Sequence, residues 1–464
     1  MPYASSHEDT IAAIATPLGQ AGIGIVRISG SRSGEIATKI FRPKRGSKGL
    51  KSHSLTLGHL IDPVSGGLID EVLLTFMKAP HSFTREDVVE INAHSGFLLL
   101  SSILQVVLKE GVRLAKPGEF TFRAFMNGRI DLTQAEAIVD LINSRSERGI
   151  QLASQQIHGS FKDAIEALRK TTLEILAQVE VAIDFSEEDS GAPPGEEMIT
   201  RLEREVVDPI GEIIKAHAQR KIWMDWINTV IVGRVNGGKS SLLNRLINEQ
   251  RALVTPIPGT TRDIIESTLY IEGIPLRLMD TAGFMKGKGK IEKAGIRLTE
   301  KKLGEADLSL IVIDQSRPLT QMDRNVLARS KGKKRLIIIN KIDLPSRLGE
   351  IEAKKAFEGL PSVRISALTG EGIDDLRQAI RDLVLEGGSE IDAAHLAPNL
   401  RHKNALQEAQ RFFQNAAQGI GEALPLDIVA LELQSGLEAL GDIIGETTPD
   451  TVLDQIFSQF CIGK

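Results

Sequence analysis

The stretch Gly233-Arg-Val-Asn-Gly-Gly238-Lys239-Ser240 limits what this chain can fold into more than any other part of it. It has the spacing G-x-x-x-x-G-K-[ST], follows the apolar run 229–232 and precedes a helical pattern over 241–247. Strand, glycine-rich loop and helix in that order turn backbone N–H groups toward a phosphate chain, and the helix N-terminus adds positive potential. Asn236, Gly237 and Gly238 would wrap the phosphates, with Ser241 in the first helical turn. Lys239 would reach the β- and γ-phosphates, and the Ser240 hydroxyl would bind Mg²⁺. The loop demands a sheet behind it.

The companions of that loop specify the nucleotide. Asn340-Lys341-Ile342-Asp343 follows the apolar run 336–339, and a carboxylate there accepts both N1–H and N2–H of guanine, a donor pair adenine lacks. Ser366-Ala367-Leu368, after the run 363–365, would close the base pocket with backbone N–H groups. In Asp280-Thr281-Ala282-Gly283, Asp280 would hold Mg²⁺ through water and the Gly283 N–H would sense the γ-phosphate. Thr260 and Thr261 lie between these motifs, and Thr261 would complete the Mg²⁺ shell. Order and strand context together define a GTP-binding domain. Phe284 stands where Ras-like enzymes place the glutamine that orients water, and a phenyl ring makes no such hydrogen bond. Glu292 is a candidate replacement; an ordinary solvated charge among Lys286, Lys288, Lys290 and Lys293 is the alternative.

Around this block the texture changes twice. A chain of 464 residues suggests about three domains. Residues 10–120 mix short apolar runs with Gly, Pro and Ser clusters and one helical pattern at 97–109, as in a small α+β domain. Ile157, Phe161, Ile165, Leu168, Ile175, Val179 and Ile183 then recur at helical spacing, which predicts one long amphipathic helix. An acidic, Pro-containing loop over 186–197 and a second helix over 198–220 follow, and helical sequence returns from 395 to the end. The expected architecture is therefore multidomain α/β and α. It has an N-terminal α+β domain (1–120), a discontinuous helical-bundle domain (121–222 and 386–464) and an inserted Ras-like P-loop GTPase domain (223–385). The formal charge of −5 argues against a surface dominated by polyanion binding, and two Trp and two Tyr disfavour a base-stacking platform. The single cysteine, Cys461, excludes an intrachain disulfide and suits a reducing cytoplasm. No apolar run is long enough to span a membrane, and the polar N-terminus does not look like an export signal.

Outside the GTP motifs, the chain resembles the MnmE (TrmE) family over essentially its whole length. The resemblance rests on Gly22-Ile-Gly-Ile-Val-Arg27-Ile-Ser29-Gly30, Ser82-Phe-Thr84 with Glu90, and Lys116-Pro-Gly-Glu-Phe120. Leu132-Thr-Gln134-Ala-Glu136-Ala and the terminal Phe460-Cys461-Ile-Gly-Lys464 complete it. That family implies a GTPase that modifies the wobble uridine of tRNA together with an FAD-dependent partner, MnmG. The two form a heterotetramer or larger complex, and the substituent is of the 5-carboxymethylaminomethyl type. The resemblance also implies a folate-binding-type N-terminal domain that dimerises and holds 5,10-methylene- or 5-formyltetrahydrofolate. Arg27, Glu90, Arg129 and Lys464 fall on the folate-contacting positions. For Phe284 the resemblance offers an explanation: hydrolysis is activated when two G domains pair around K⁺, held by Asn236, Thr255, Ile257 and Thr260. Glu292 then matches the water-orienting glutamate, catalytic with Lys239. Cys461 is open to two readings, a small apolar filler or an acid/base or nucleophilic group beside the folate. A ribosome-assembly GTPase, using GTP as a timer for RNA binding, is the rival reading.

Overall fold

The computed structural model describes residues 9–17, 19–44, 49–184, 195–251, 268–279, 303–385 and 396–464. The chain divides into two compact units, one of Met1–Ile142, Gln155–Ile210 and Asn404–Lys464, the other of Asn143–Ser154 and Gly211–Lys403.

The first unit contains a seven-stranded sheet. Its strands are β1 (Ile11–Ile14), β2 (Gly24–Ser29), β3 (Phe41–Pro43), β4 (Ser54–Ile61), β5 (Leu68–Met77), β6 (Val88–Ala93) and β7 (Arg113–Leu114). They lie in the order β3-β4-β5-β6-β2-β1-β7, antiparallel except for the β1–β7 pair. Alternation puts Val26 and Ile28 of β2 and Val89 and Ile91 of β6 in one core with Ile36, Ile40, Leu100 and Ile103 from the helices Ser33–Ile40 and Phe97–Lys109. A half-covered antiparallel sheet normally turns polar residues outward. Here Leu55 and Leu57 of β4 and Leu73 of β5 are exposed instead.

The helical part of this unit pairs the helix Ser160–Asp184 with Leu426–Ile444. Phe161, Ile165, Leu168, Ile175 and Val179 are buried along the first of these, as their spacing predicts. Ile157 is a correction: it ends the preceding helix, Glu147–Ile157, because Gly159 adopts φ +97° and breaks the chain direction. The helix expected over 198–220 begins at Glu196, contains a π turn at Glu203–Val207 and runs on to Met224. Pro209 has no N–H to give one turn back, and the π turn, in which the Asp208 N–H reaches the Glu203 carbonyl, accommodates it. The last helix, Asp450–Phe457, packs Phe457 edge-on to Phe122 at 5.2 Å. No helix among the described residues is long and apolar enough to cross a membrane.

The second unit is a six-stranded sheet in the order β13-β12-β11-β8-β10-β9. These strands are β8 (Ile227–Val232), β9 (Thr268–Ile271), β10 (Ile274–Leu278), β11 (Leu308–Asp314), β12 (Lys334–Asn340) and β13 (Ser362–Ile365). All neighbours are parallel except β9 and β10. Apolar clusters cover both faces of this sheet, so β11 and β12 are continuous apolar runs rather than alternating ones. Because β8, β11, β12 and β13 point the same way, the loops after Val232, Asp314, Asn340 and Ile365 gather at one edge.

Gly436, in the helix Leu426–Ile444, leaves room for the fully buried ring of Phe413. A Cβ there would overlap the ring, and overpacking costs about 1–3 kcal/mol. Gly436→Ala should therefore lower the calorimetric midpoint of the first unit by several degrees.

Candidate functional site

At the gathered strand ends of the second unit, β8 stops at Val232 and the loop Gly233–Gly238 leads into the helix Lys239–Arg251. Gly238 has φ +96°, and a Cβ on it would collide with the amide of Asn340. Asn236 also lies in the left-handed region, at φ +63°. Asn, unlike a β-branched residue, tolerates that conformation. Lys239 Nζ donates to the carbonyls of Gly233 (2.8 Å) and Arg234 (2.7 Å), and burial holds its pKa below the usual lysine value. Ser240 and Ser241 are exposed at the start of the helix. The side chains of Asn236 and Ser240 have no hydrogen-bond partner among the described residues, and both offer the oxygen donors that hard cations select.

Asn340 joins this loop to the segments expected to recognise the base. Its Nδ2 donates to the Gly237 carbonyl at 3.0 Å, and its Oδ1 accepts from the Ala367 N–H at 3.0 Å. It is 1% exposed, so the two bonds are made out of water and are costly to lose. Lys341 Nζ donates to the Asn236 carbonyl at 2.9 Å and to Asp314 Oδ2 at 2.7 Å. Asp343 is exposed, and its Oδ1 accepts from the buried Ser366 Oγ at 2.6 Å. Ser366 Oγ in turn accepts from the Thr369 N–H, which rounds the turn through Ala367 and Leu368. The structure thus brings Asn236, Gly237, Gly238, Lys239, Asn340, Lys341, Asp343, Ser366, Ala367 and Leu368 together. Thr255, Ile257, Thr260, Thr261, Asp280, Thr281, Ala282, Gly283 and Glu292 lie outside the described residues.

Residues that sequence reasoning passed over also shape this edge. Arg245, on the helix after the phosphate loop, donates to the carbonyls of Ala367 (3.4 Å) and Leu368 (2.6 Å). Asp314 ends β11 and pairs with Lys341. A lone carboxylate closing the apolar run Leu308–Asp314 was the available signal.

A second cluster lies in the first unit. Arg27 on β2 and Glu90 on β6 are register partners, and Glu90 Oε1 accepts from Arg27 Nε at 2.9 Å and Nη2 at 2.8 Å. Arg27 Nη1 donates to the carbonyl of Gly463 at 3.1 Å, and its guanidinium lies 5.7 Å from the Phe120 ring centre. The C-terminal tail reaches this point through an antiparallel bridge between Ile462 and Pro117. Cys461 is an exposed free thiol there, and the Lys464 N–H turns back to its carbonyl at 3.3 Å. Arg129 donates to the Ser82 carbonyl and stands over the Phe83 ring at 5.2 Å. Phe83 and Phe120 belong to one apolar cluster with Ile11 and Ala13, so the two arginines cap rings of the same patch. An open groove of about 550 Å³, lined by His53, His81, Arg85 and Arg129 among others, adjoins it.

Beneath the rings runs a network of buried charge. Arg123, 5% exposed, meets Asp9 (2.5 Å), Glu86 (3.1 Å) and Glu119 (3.1 Å), and Arg113 meets Asp9 (2.7 Å) and Glu119 (2.6 Å). Glu86 also accepts from Ser29 Oγ at 2.7 Å. Burial pushes the pKa of Asp9 up, but Arg113 and Arg123 outweigh it. For Glu119, burial is likewise outweighed by Arg113, the Lys116 N–H and Arg123. Both carboxyls titrate below their ordinary range.

The second unit's fold and the stitched loops at its edge define a P-loop protein of the guanine-nucleotide-binding class. The first unit carries something such a domain alone does not, a tail-capped arginine–glutamate pair on an α+β sheet. Residues 10–129 match the family model described as GTP-binding protein TrmE N-terminus, and residues 132–461 match the MnmE helical domain. The chain is 46% identical over 98% of its length to the tRNA modification GTPase MnmE of Geobacillus kaustophilus, covering 99% of that protein. It is 45% identical to the protein of that name from Geobacillus thermodenitrificans and 42% identical to that from Staphylococcus haemolyticus, over the same shares of each chain. The chain belongs to the MnmE family of tRNA modification GTPases.

Carboxylates whose pKa is depressed by folding add stability above their unfolded pKa and lose it as pH falls through the folded one. The first unit should therefore lose thermal stability as pH drops below about 4. Glu119→Gln should lower the midpoint near neutrality and flatten that acid limb, as followed by calorimetry across the range.

Proposed function

We propose that this protein hydrolyses GTP to drive wobble-uridine modification of tRNA. The observation that carries the reading is Asn340, whose side chain joins the phosphate loop to the turn beside Asp343. That link makes phosphate binding and guanine recognition one site, and the family match over the whole chain supplies the tRNA context. The rival ribosome-assembly reading is not favoured, since the relatives that match this chain over 98% of its length carry the name tRNA modification GTPase MnmE.

Three working parts follow: an N-terminal folate-binding and dimerisation domain at 1–120, a helical domain at 121–222 and 386–464, and a G domain at 223–385. In the G domain, Asp343 selects guanine and Lys239 leaves its two loop carbonyls to meet the β- and γ-phosphates. Ser240 and Thr261 would hold Mg²⁺, and Asn236, Thr255, Ile257 and Thr260 would hold K⁺. When bound, these cations supply the positive charge that offsets charge developing on the phosphates, a role given to an arginine finger in other GTPases. Glu292 orients the attacking water in place of the missing glutamine. In the N-terminal domain, Arg27, Glu90, Arg129 and Lys464 would bind tetrahydrofolate as one-carbon donor: Glu90 can accept from pteridine N–H groups, while the cations suit the glutamate carboxylates. Cys461, exposed on the tail, would serve there as an acid/base or nucleophilic group. The outward leucines of β4 and β5 suit pairing with a second copy of the chain. Together with the flavin-dependent partner MnmG the pair would act on cytoplasmic tRNA.

Mass spectrometry of wobble nucleosides from cells lacking this protein should show loss of the 5-carboxymethylaminomethyl-type substituent; unchanged nucleosides would remove the reading. Purified protein should hydrolyse GTP faster in K⁺ than in Na⁺ at equal ionic strength. Glu292→Ala should retain GDP and lose turnover by about 10²-fold or more, whereas full turnover would return Glu292 to an ordinary surface charge.

A further inference from the structure

Asp314 is a buried carboxylate that none of the chemistry above uses. It ends β11 at the edge where the nucleotide loops gather and is 2% exposed. Its Oδ1 accepts from the Ser316 N–H (2.9 Å) and the Ser316 hydroxyl (2.6 Å), which fixes its orientation. Its Oδ2 accepts from Lys341 Nζ at 2.7 Å, and that same nitrogen donates to the carbonyl of Asn236. Arg234, the second residue of the phosphate loop, turns back toward the same carboxylate: its Nη2 is 4.0 Å from Asp314 Oδ2, and its Nη1 is 3.9 Å from Asp323 Oδ2. Two cations from opposite sides of the nucleotide site therefore converge on Asp314. One belongs to the base-recognition segment and the other to the phosphate loop.

We infer that Asp314 is a positioning residue for guanine-nucleotide binding, holding Lys341 so that its ammonium pins the Asn236 carbonyl and keeps the phosphate loop in shape. Asn236 is the point where such a restraint counts, because a non-glycine residue at φ +63° keeps that conformation only when its surroundings hold it. A carbonyl fixed on the outer side of the loop turns the neighbouring N–H groups inward, toward the phosphates. Without the carboxylate, Lys341 and Arg234 face each other across a buried space with only Asp323 to balance them. Lys341 would then move toward water, and the Asn236 carbonyl would lose its donor. This role goes beyond the contacts assigned to Lys341 and Asp343, since Asp314 acts on the nucleotide only through Lys341 and the phosphate loop it pins.

The test is dissociation of a fluorescent GDP analogue from the full-length chain, chased with excess GDP. Asp314→Asn keeps the shape and removes the charge. It should speed dissociation about tenfold, the loss expected for one charge-assisted hydrogen bond. Lys341→Met should speed it at least as much, and the double variant should be no faster than Lys341→Met alone, because Asp314 reaches the Asn236 carbonyl only through the Lys341 ammonium. Asp314→Glu should recover part of the lost retention, and it carries the same cycle if Asp314→Asn does not fold. A rate for Asp314→Asn within twofold of the parent would overturn the inference. So would effects that multiply in full in the double variant, which would mark Asp314 as a general stabiliser of the unit. A parent chain that retains an ADP analogue as well as the GDP one would overturn the guanine reading itself, and this inference with it.

Discussion

Asn340 makes two hydrogen bonds on which the nucleotide site depends. It sits at the last position of a buried parallel strand, where β-sheet geometry leaves its side chain facing across the strand ends rather than along them. From there one amide satisfies a carbonyl of the phosphate loop and an N–H of the base loop. Both partners are backbone groups, so neither can rotate away. The phosphate loop cannot drift without pulling the base pocket with it. Lys341 and Arg245 reinforce the same coupling from either side, each ending on backbone carbonyls. An edge built this way holds the two loops at a fixed separation, which is what recognition of a whole nucleotide would require.

The first unit solves a different problem by different means. Its sheet places Arg27 and Glu90 side by side across β2 and β6, and the last residues of the chain are tied over them by one guanidinium bond and one strand-like bridge. Beneath lies a set of two arginines and three carboxylates, in which Arg123 meets Asp9, Glu86 and Glu119 and Arg113 meets Asp9 and Glu119. Burying such a set confers little net stability, because desolvation offsets most of the attraction. Its geometric effect is large: Glu119 leads into Phe120, Glu86 follows Phe83 and Thr84, and those rings carry Arg27 and Arg129. The network thus fixes the floor on which the arginines rest.

Much of this organisation was legible in the amino-acid sequence. The helix Phe97–Lys109 and the strands β8, β11, β12 and β13 follow directly from uninterrupted or periodic apolar runs, since burial on one or two faces leaves that pattern. Where the expectation slipped, local backbone chemistry intervened. Gly159 split a helix whose apolar spacing continued across it, whereas the helix expected over 198–220 does run through Pro209, by way of a π turn. The extent of β5 and the short helix Ser33–Ile40 were not apparent, because their residues alternate too weakly to separate from the surrounding loops.

By itself, then, the sequence determined the phosphate-loop pattern, the strand that ends at Asn340 before Asp343, and an α/β block lying between helical stretches. Those depend on residue types at fixed short spacing, which local geometry obliges. The tertiary structure alone decided that Asn340 bonds both loops, that Asp314 gathers Lys341 and Arg234, and that the chain end lies on Arg27. Such contacts join residues far apart along the chain. They are set by how strands align and which groups are left without water, and no local pattern records that.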